Sequence, residues 1–89
     1  MYHICHQNSF LALCTVLAAD MSGGTETVIA TGITSFATCA YTVYTQYPSA
    51  NGATLGVTSN VGSCYAEFGA TTTSSSTAYK SCYLVQGIF

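Results

Sequence analysis

The chain is 89 residues long, with a charged fraction of 4% and a formal net charge of −2. One lysine and no arginine cannot neutralise a phosphate backbone or an anionic membrane surface, which argues against nucleic-acid binding and against recruitment through a basic patch. The length allows one domain at most, whose modest core needs help from cross-links or self-association.

Residues Phe10 to Ala19 (FLALCTVLAA) form a short apolar run ending in small residues. It has the length of the hydrophobic part of an export signal and falls short of the roughly 18–20 residues that span a bilayer. Val16 and Ala18 are the small residues ahead of a cut, so residues 1–19 read as a signal peptide and the mature chain begins near Ala19. Ahead of the run stand His3 and His6 but neither Lys nor Arg. The alternative is an N-terminal helix with Leu11, Cys14, Leu17 and Ala18 on one face. No other run is long enough for a membrane span.

Residues 20–26 read as a connector, with Gly23-Gly24 as its breaker. Thr27 to Ile33 (TVIATGI) is β-branched and apolar and is predicted as a strand, weakened or bulged at Gly32. Ser35 is a candidate N-cap for a helix in which Phe36, Cys39, Ala40, Val43, Tyr44 and Tyr47 recur at helical spacing. Pro48 ends it. Thr38, Thr42, Val43 and Thr45 lower the intrinsic propensity, so the apolar stripe must hold the helix by packing. Tyr41 and Tyr44 cannot both face inward.

Asn51-Gly52 signals a turn into a strand over Ala53–Thr58. Ser63 to Phe68 (SCYAEF) alternates, with Cys64, Ala66 and Phe68 on one side and Tyr65 and Glu67 on the other. Gly69 to Thr77 is a Ser/Thr-rich loop, and Ala78 to Val85 another strand. A hairpin of these two strands centred near Thr73 sets Cys64 opposite Cys82, Ala66 opposite Lys80 and Glu67 opposite Tyr79. The fold class expected is α+β: a small antiparallel sheet with one helix packed across it, in β-α-β-β-β order and disulfide-assisted.

Five cysteines are an odd number, and removing Cys5 and Cys14 with a leader leaves three. One thiol is then free, buried or paired between chains. No C-x-x-C spacing points to zinc, so an oxidising compartment is the better reading. The segments T-S-F-A-T-C-A-Y-T-V, Y-P-S-A-N-G-A-T-L-G, C-Y-A-E-F-G and K-S-C-Y-L together resemble the PAN/Apple superfamily of extracellular modules over about residues 27–85. The resemblance implies a cysteine-bearing helix lying across a small sheet, with Cys39 bonded to Cys64 on a central strand, and contacts with proteins or carbohydrates rather than catalysis. Family members usually carry more cysteines, and the resemblance leaves Cys82 without a partner. The residues themselves leave two pairings open. Cys39–Cys64 closes a loop of about 25 residues, worth roughly 3 kcal/mol, and Cys64–Cys82 has a similar entropic value. Cross-strand bonds demand a favourable Cα spacing, which leans towards the helix–strand bond.

Candidate ligand-binding residues are Tyr65, Glu67, Tyr79 and Tyr83. Tyr65 and Glu67 share a strand face, as an aromatic surface beside a polar acceptor suits a sugar, and Tyr79 shares a face with Tyr83. Read structurally, Glu67 is an exposed strand residue or a partner for Lys80, and some of the rings cover core. Glu67 lacks a second carboxylate for glycoside hydrolysis, with Asp20 and Glu26 assigned to leader and connector. His3, Cys5 and His6 do not complete a metal site, no Ser–His–acid arrangement can be argued, and no cofactor motif is present. Thr71 to Thr77 is a candidate O-glycan carrier or a bare polar loop.

These features point to a secreted, non-enzymatic recognition module, spanning residues 27–89, for a protein or carbohydrate partner. The alternative is a self-assembling extracellular structural protein, a homo-oligomer favoured by low charge, many tyrosines and an odd cysteine.

Overall fold

The structure, a computed structural model, describes residues 14–84. His3, Cys5, His6 and most of the apolar leader lie outside these residues. The described elements run β1 (Ala19–Ser22), β2 (Thr25–Ala30), α1 (Phe36–Gln46), β3 (Gly52–Gly56), β4 (Cys64–Phe68), β5 (Thr72–Ser75) and β6 (Tyr79–Tyr83). Strands β2, β4, β3 and β6, in that order, form a four-stranded antiparallel sheet, and β1 and β5 form a separate antiparallel ribbon. One helix on an antiparallel sheet with two disulfides is the α+β class expected from the sequence.

Helix α1 begins where Ser35, in extended geometry, accepts a hydrogen bond from the Thr38 amide (3.4 Å). It ends at the Tyr47 cap, one residue before Pro48. Its threonines turn inward on the backbone: the Thr42 hydroxyl donates to the Thr38 carbonyl (2.8 Å) and Thr45 to Tyr41 (2.9 Å). Such back-bonding does not favour a helix by itself. What holds it is the stripe of Cys39, Ala40 and Val43, all fully buried against β3 and β4. Tyr41 and Tyr44 both lie half-buried against the rim of this core, so one need not turn out for the other to pack.

The core is made of small residues. Ala40, Ala50, Ala53 and Ala66 and four cystine halves surround Val43, Leu55 and Leu84. Such side chains release little apolar area, so covalent closure matters more than in a larger domain. Cys39 and Cys64 are bonded across the helix–sheet interface (Cα–Cα 5.5 Å). Cys82 is bonded to Cys14 (Cα–Cα 5.6 Å), a partner the sequence reading had placed in the leader.

Several expectations require correction. Strands β4 and β6 do not form a hairpin, because β3 lies between them and pairs with both. Cys64 therefore stands opposite Leu55 and Ala30, Glu67 opposite Gly52 and Glu26, Tyr79 opposite Gly56, and Lys80 opposite Leu55. The physical reason is burial: every residue of β3 is buried, which demands a neighbour on each edge. Strand β2 starts at Thr25 rather than Thr27 and ends at Ala30, with its irregularity at Val28–Ala30; Gly32, at φ +70°, lies beyond it. The connector and the Ser/Thr loop contain β1 and β5, which pair with each other over four residues. Residues 14–18 form no helix, and Leu17 bridges Ser81 through two backbone hydrogen bonds (2.8 and 3.0 Å).

The result is three layers. The helix covers the sheet face that presents Cys64, Ala66, Ala53, Leu55 and Cys82, and the β1–β5 ribbon covers part of the opposite face. Gly52 makes that second contact possible, since a Cβ there would come within 2.5 Å of the Met21 sulfur. Asn51 closes the end of the sheet. Its side-chain amide donates to the Ala70 carbonyl (2.9 Å) and its carbonyl accepts from the Ala70 amide (3.0 Å), while its backbone joins Glu67 and Leu84.

Candidate functional site

Strand alternation and register place Tyr65, Glu67, Tyr79 and Tyr83 on one face of the sheet, the face turned away from the helix. Cross-strand partners share a face, so three rows can be followed across it. One runs Glu26, Glu67, Gly52, Tyr83; the next Val28, Tyr65, Thr54, Ser81; the third includes Gly56 and Tyr79. Met21 sits over Gly52 and so separates Tyr83 from Glu67. The structure therefore brings Tyr65 and Glu67 together with Glu26 and leaves Tyr83, 39% exposed, on the far side of the ribbon.

Glu67 is neither an exposed strand residue nor a partner for Lys80, as the sequence reading allowed. It is 3% exposed, and Lys80 points to the other face, opposite Leu55. Its Oε2 atom is buried, and among the described residues no hydrogen-bond donor is directed at it. Its pKa is pushed up from 4.5 to about 8, first by burial and then by a hydrogen bond with the Glu26 side chain, while the Thr54 hydroxyl acts in the opposite direction. Two carboxyl groups can share a hydrogen bond only when one of them carries a proton. Near neutral pH Glu67 is accordingly held as the neutral acid.

The Thr54 hydroxyl lies 2.8 Å from that of Ser81, and Ser81 Oγ donates to the Ala19 carbonyl (2.8 Å). The single Ser81 proton is committed to Ala19, so Thr54 donates to Ser81 and has none left for Glu67. The hydroxyl chain thus ends on β1, and the single proton of Glu67 stays in the hydrogen bond with Glu26. An ionised Glu67 would draw the Thr54 proton to itself and break that order.

Farther along the same face, Tyr79 accepts a hydrogen bond from the Asn60 amide (2.8 Å) and stands next to Tyr65. Burial, with the neighbouring Tyr79, pushes the Tyr65 pKa upward, against a hydrogen bond with Ser63. Both rings are half-buried. Val28, next to Tyr65 on β2, is half exposed.

Glu26, Asp20 and Thr54 were not among the residues expected at a site. Glu26 could have been found by extending the Thr27 strand two residues back, since T-E-T-V already alternates. Asp20 belongs to a strand with no propensity signal of its own. Among the described residues no group of three or more His, Cys, Asp or Glu side chains is arranged to hold a metal, and no helix is long and apolar enough to cross a membrane. No known protein family, curated protein or solved structure matches the chain.

Proposed function

We propose that the protein is a non-enzymatic extracellular recognition module, PAN/Apple-like in having a cystine-anchored helix across a small sheet, which binds a protein or carbohydrate partner through the sheet face away from the helix. The observation that carries the reading is Glu67: a buried carboxyl with an unsatisfied oxygen, beside the half-exposed Tyr65, on a face the ribbon covers only in part. Folding gains nothing from leaving an acceptor unpaired at such a place, so an external partner is its natural complement. The two disulfides fit an oxidising, extracellular location.

Catalysis is a poorer account. Glycoside hydrolysis uses carboxyls roughly 5–9 Å apart with substrate or water between them. Glu26 and Glu67 share a hydrogen bond, which leaves no such gap.

The reading is tested by screening the disulfide-bonded protein against glycan and extracellular-protein arrays, then repeating any positive with Tyr65→Ala and Tyr83→Ala. Tyr65→Ala is expected to weaken binding at least tenfold, on the order of the cost of losing an aromatic anchor, and Tyr83→Ala to leave it nearly unchanged. Equal effects of the two would remove this face from the account.

Self-assembly is the second reading, favoured by one observation. All four residues of β5 are exposed, and among the described residues β1 alone pairs with it, leaving one edge of Thr and Ser without a strand partner there. Sedimentation of the native protein as a large species that persists in Tyr65→Ala would favour it.

A further inference from the structure

We propose that the Glu26–Glu67 pair, with Tyr65 beside it and Tyr79 next to that ring, is a binding site for an alkylammonium group, supplied by a lysine side chain of a partner protein. The inference rests on the reading of this face as a recognition surface and names the chemistry it selects.

The charge distribution is the first support. The chain has three acidic residues, Asp20, Glu26 and Glu67, and one lysine. Glu26 and Glu67 are direct cross-strand neighbours, and Asp20 is near enough to act on both Glu67 and Tyr65. Lys80 lies on the opposite side of the sheet. The three acidic side chains of a nearly uncharged protein are thus gathered on one side of the sheet, and among the described residues the lysine lies on the other.

The second support is the orphaned atom. Glu67 is buried, and the polar groups beside it are the Glu26 carboxyl and the Thr54 hydroxyl, whose proton goes to Ser81. Like-charged residues directly opposite on adjacent strands oppose folding. A shared proton makes the arrangement tolerable, and an ammonium ion does so better because it brings three donors and a full positive charge. Glu26 is exposed, so the pair opens to solvent through it.

The tyrosines argue for an organic cation over a metal ion. Aromatic faces attract ammonium groups and favour their alkyl stems, whereas a divalent ion needs more oxygen ligands than two carboxylates provide. A neutral sugar brings no charge to offset the pair. The groups facing Glu67 are Glu26 from β2 and Asp20 from β1, with Tyr65 on its own strand and Tyr79 beyond it on β6. Strand β3 contributes Gly52 and Thr54, which do not titrate. Seating an ammonium ion between the carboxyls therefore expels the proton they share, and affinity must rise with pH.

The experiment is an amide and side-chain NMR titration of the disulfide-bonded protein with Nα-acetyl-lysine methylamide, using the Nε-acetylated analogue as the uncharged control and methyl glucoside as a neutral sugar. The lysine probe should shift resonances of Tyr65, Glu67 and Tyr79, and bind roughly tenfold tighter per pH unit between pH 6 and 8. Glu26→Gln and Glu67→Gln should each weaken it at least tenfold with the remaining spectrum unchanged. An equal response to the Nε-acetylated probe, or undiminished affinity in Glu26→Gln, overturns the proposal. Butylamine binding as tightly as a lysine-containing peptide overturns its assignment to a protein partner. Binding of methyl glucoside at this face without the lysine probe defeats the ammonium inference while the recognition reading stands. If no probe perturbs the face and the protein sediments as a large species, both are lost.

Discussion

At the scale of the residue, Glu67 governs how stability depends on pH. Its folded pKa, about 8, lies above the unfolded value of 4.5, because burial and the adjacent Glu26 both disfavour the anion. The neutral acid is therefore favoured by folding. Its contribution is complete below the unfolded pKa and is lost as pH rises through the folded one. Linkage over this interval amounts to up to about 5 kcal/mol, which water reaching the pair through Glu26 will reduce. A loss of several kcal/mol rivals the whole stability of a domain this small, so at alkaline pH the disulfides must carry the fold. Denaturant unfolding from pH 4.5 to 9 should show a steady fall in stability that flattens above about pH 8. Glu67→Gln, which stays neutral at the same size, should flatten the profile and exceed wild type at pH 9. A wild-type curve that is level or rises over this range contradicts the protonated state.

At the scale of the element, the β1–β5 ribbon meets the sheet through the Ser81–Ala19 hydrogen bond and through one point of close approach at Gly52. Met21 lies on Gly52, and a Cβ at that position would come within 2.5 Å of its sulfur and 3.0 Å of its methyl carbon. Gly52→Ala should lift β1 from the sheet at a cost of roughly 1–3 kcal/mol. Hydrogen exchange should then quicken at amides of β1 and β5 while those of the helix and of β4 stay protected. Met21→Ala in the same chain should relieve the clash, giving a coupling energy of opposite sign to simple additivity. Uniform loss of protection across all elements would show that the ribbon is not a separable layer.

The same ribbon marks the limit of what the sequence reveals about elements. The helix was legible because its cap, its periodic stripe and Pro48 all act locally. Strand β4 was legible from its strict alternation. Neither A-D-M-S nor T-T-S-S carries such a signal; each is a strand only because the other completes its hydrogen bonds. The order β2-β4-β3-β6 was hidden for a related reason: a short hairpin between successive strands is the local choice, and burial of β3 on both sides overrides it. Tyr65, Glu67 and Tyr79 fall on one face under either register, since all of them keep their alternation. Glu26 joins them only in the register that forms, and with it the carboxyl pair.

At the scale of the whole molecule, the two disulfides do different work. Cys39–Cys64 fixes the helix to the sheet and closes a span of 25 residues. Cys14–Cys82 closes 68 and ties the first described residue to the last strand, next to the Leu17–Ser81 bridge and just ahead of β1. In the chain-entropy account these closures are worth about 3 and about 4 kcal/mol, so the longer one matters more to a core built of alanines and cystines. A cut immediately before Ala19 would remove Cys14, strand Cys82 as a buried thiol and delete the bridge, while keeping every residue of the sheet. A leader compatible with this fold therefore ends ahead of Cys14. Intact mass and thiol counting on protein from a secretory host should give a chain that retains Cys14 and no reactive thiol at Cys82. The double variant Cys14→Ser/Cys82→Ser should lose more stability than Cys39→Ser/Cys64→Ser, by about 1 kcal/mol on the loop-length difference. A mature chain that starts at Ala19 and remains cooperatively folded would mean that the ribbon and the helix–sheet bond suffice, and that the long closure is dispensable.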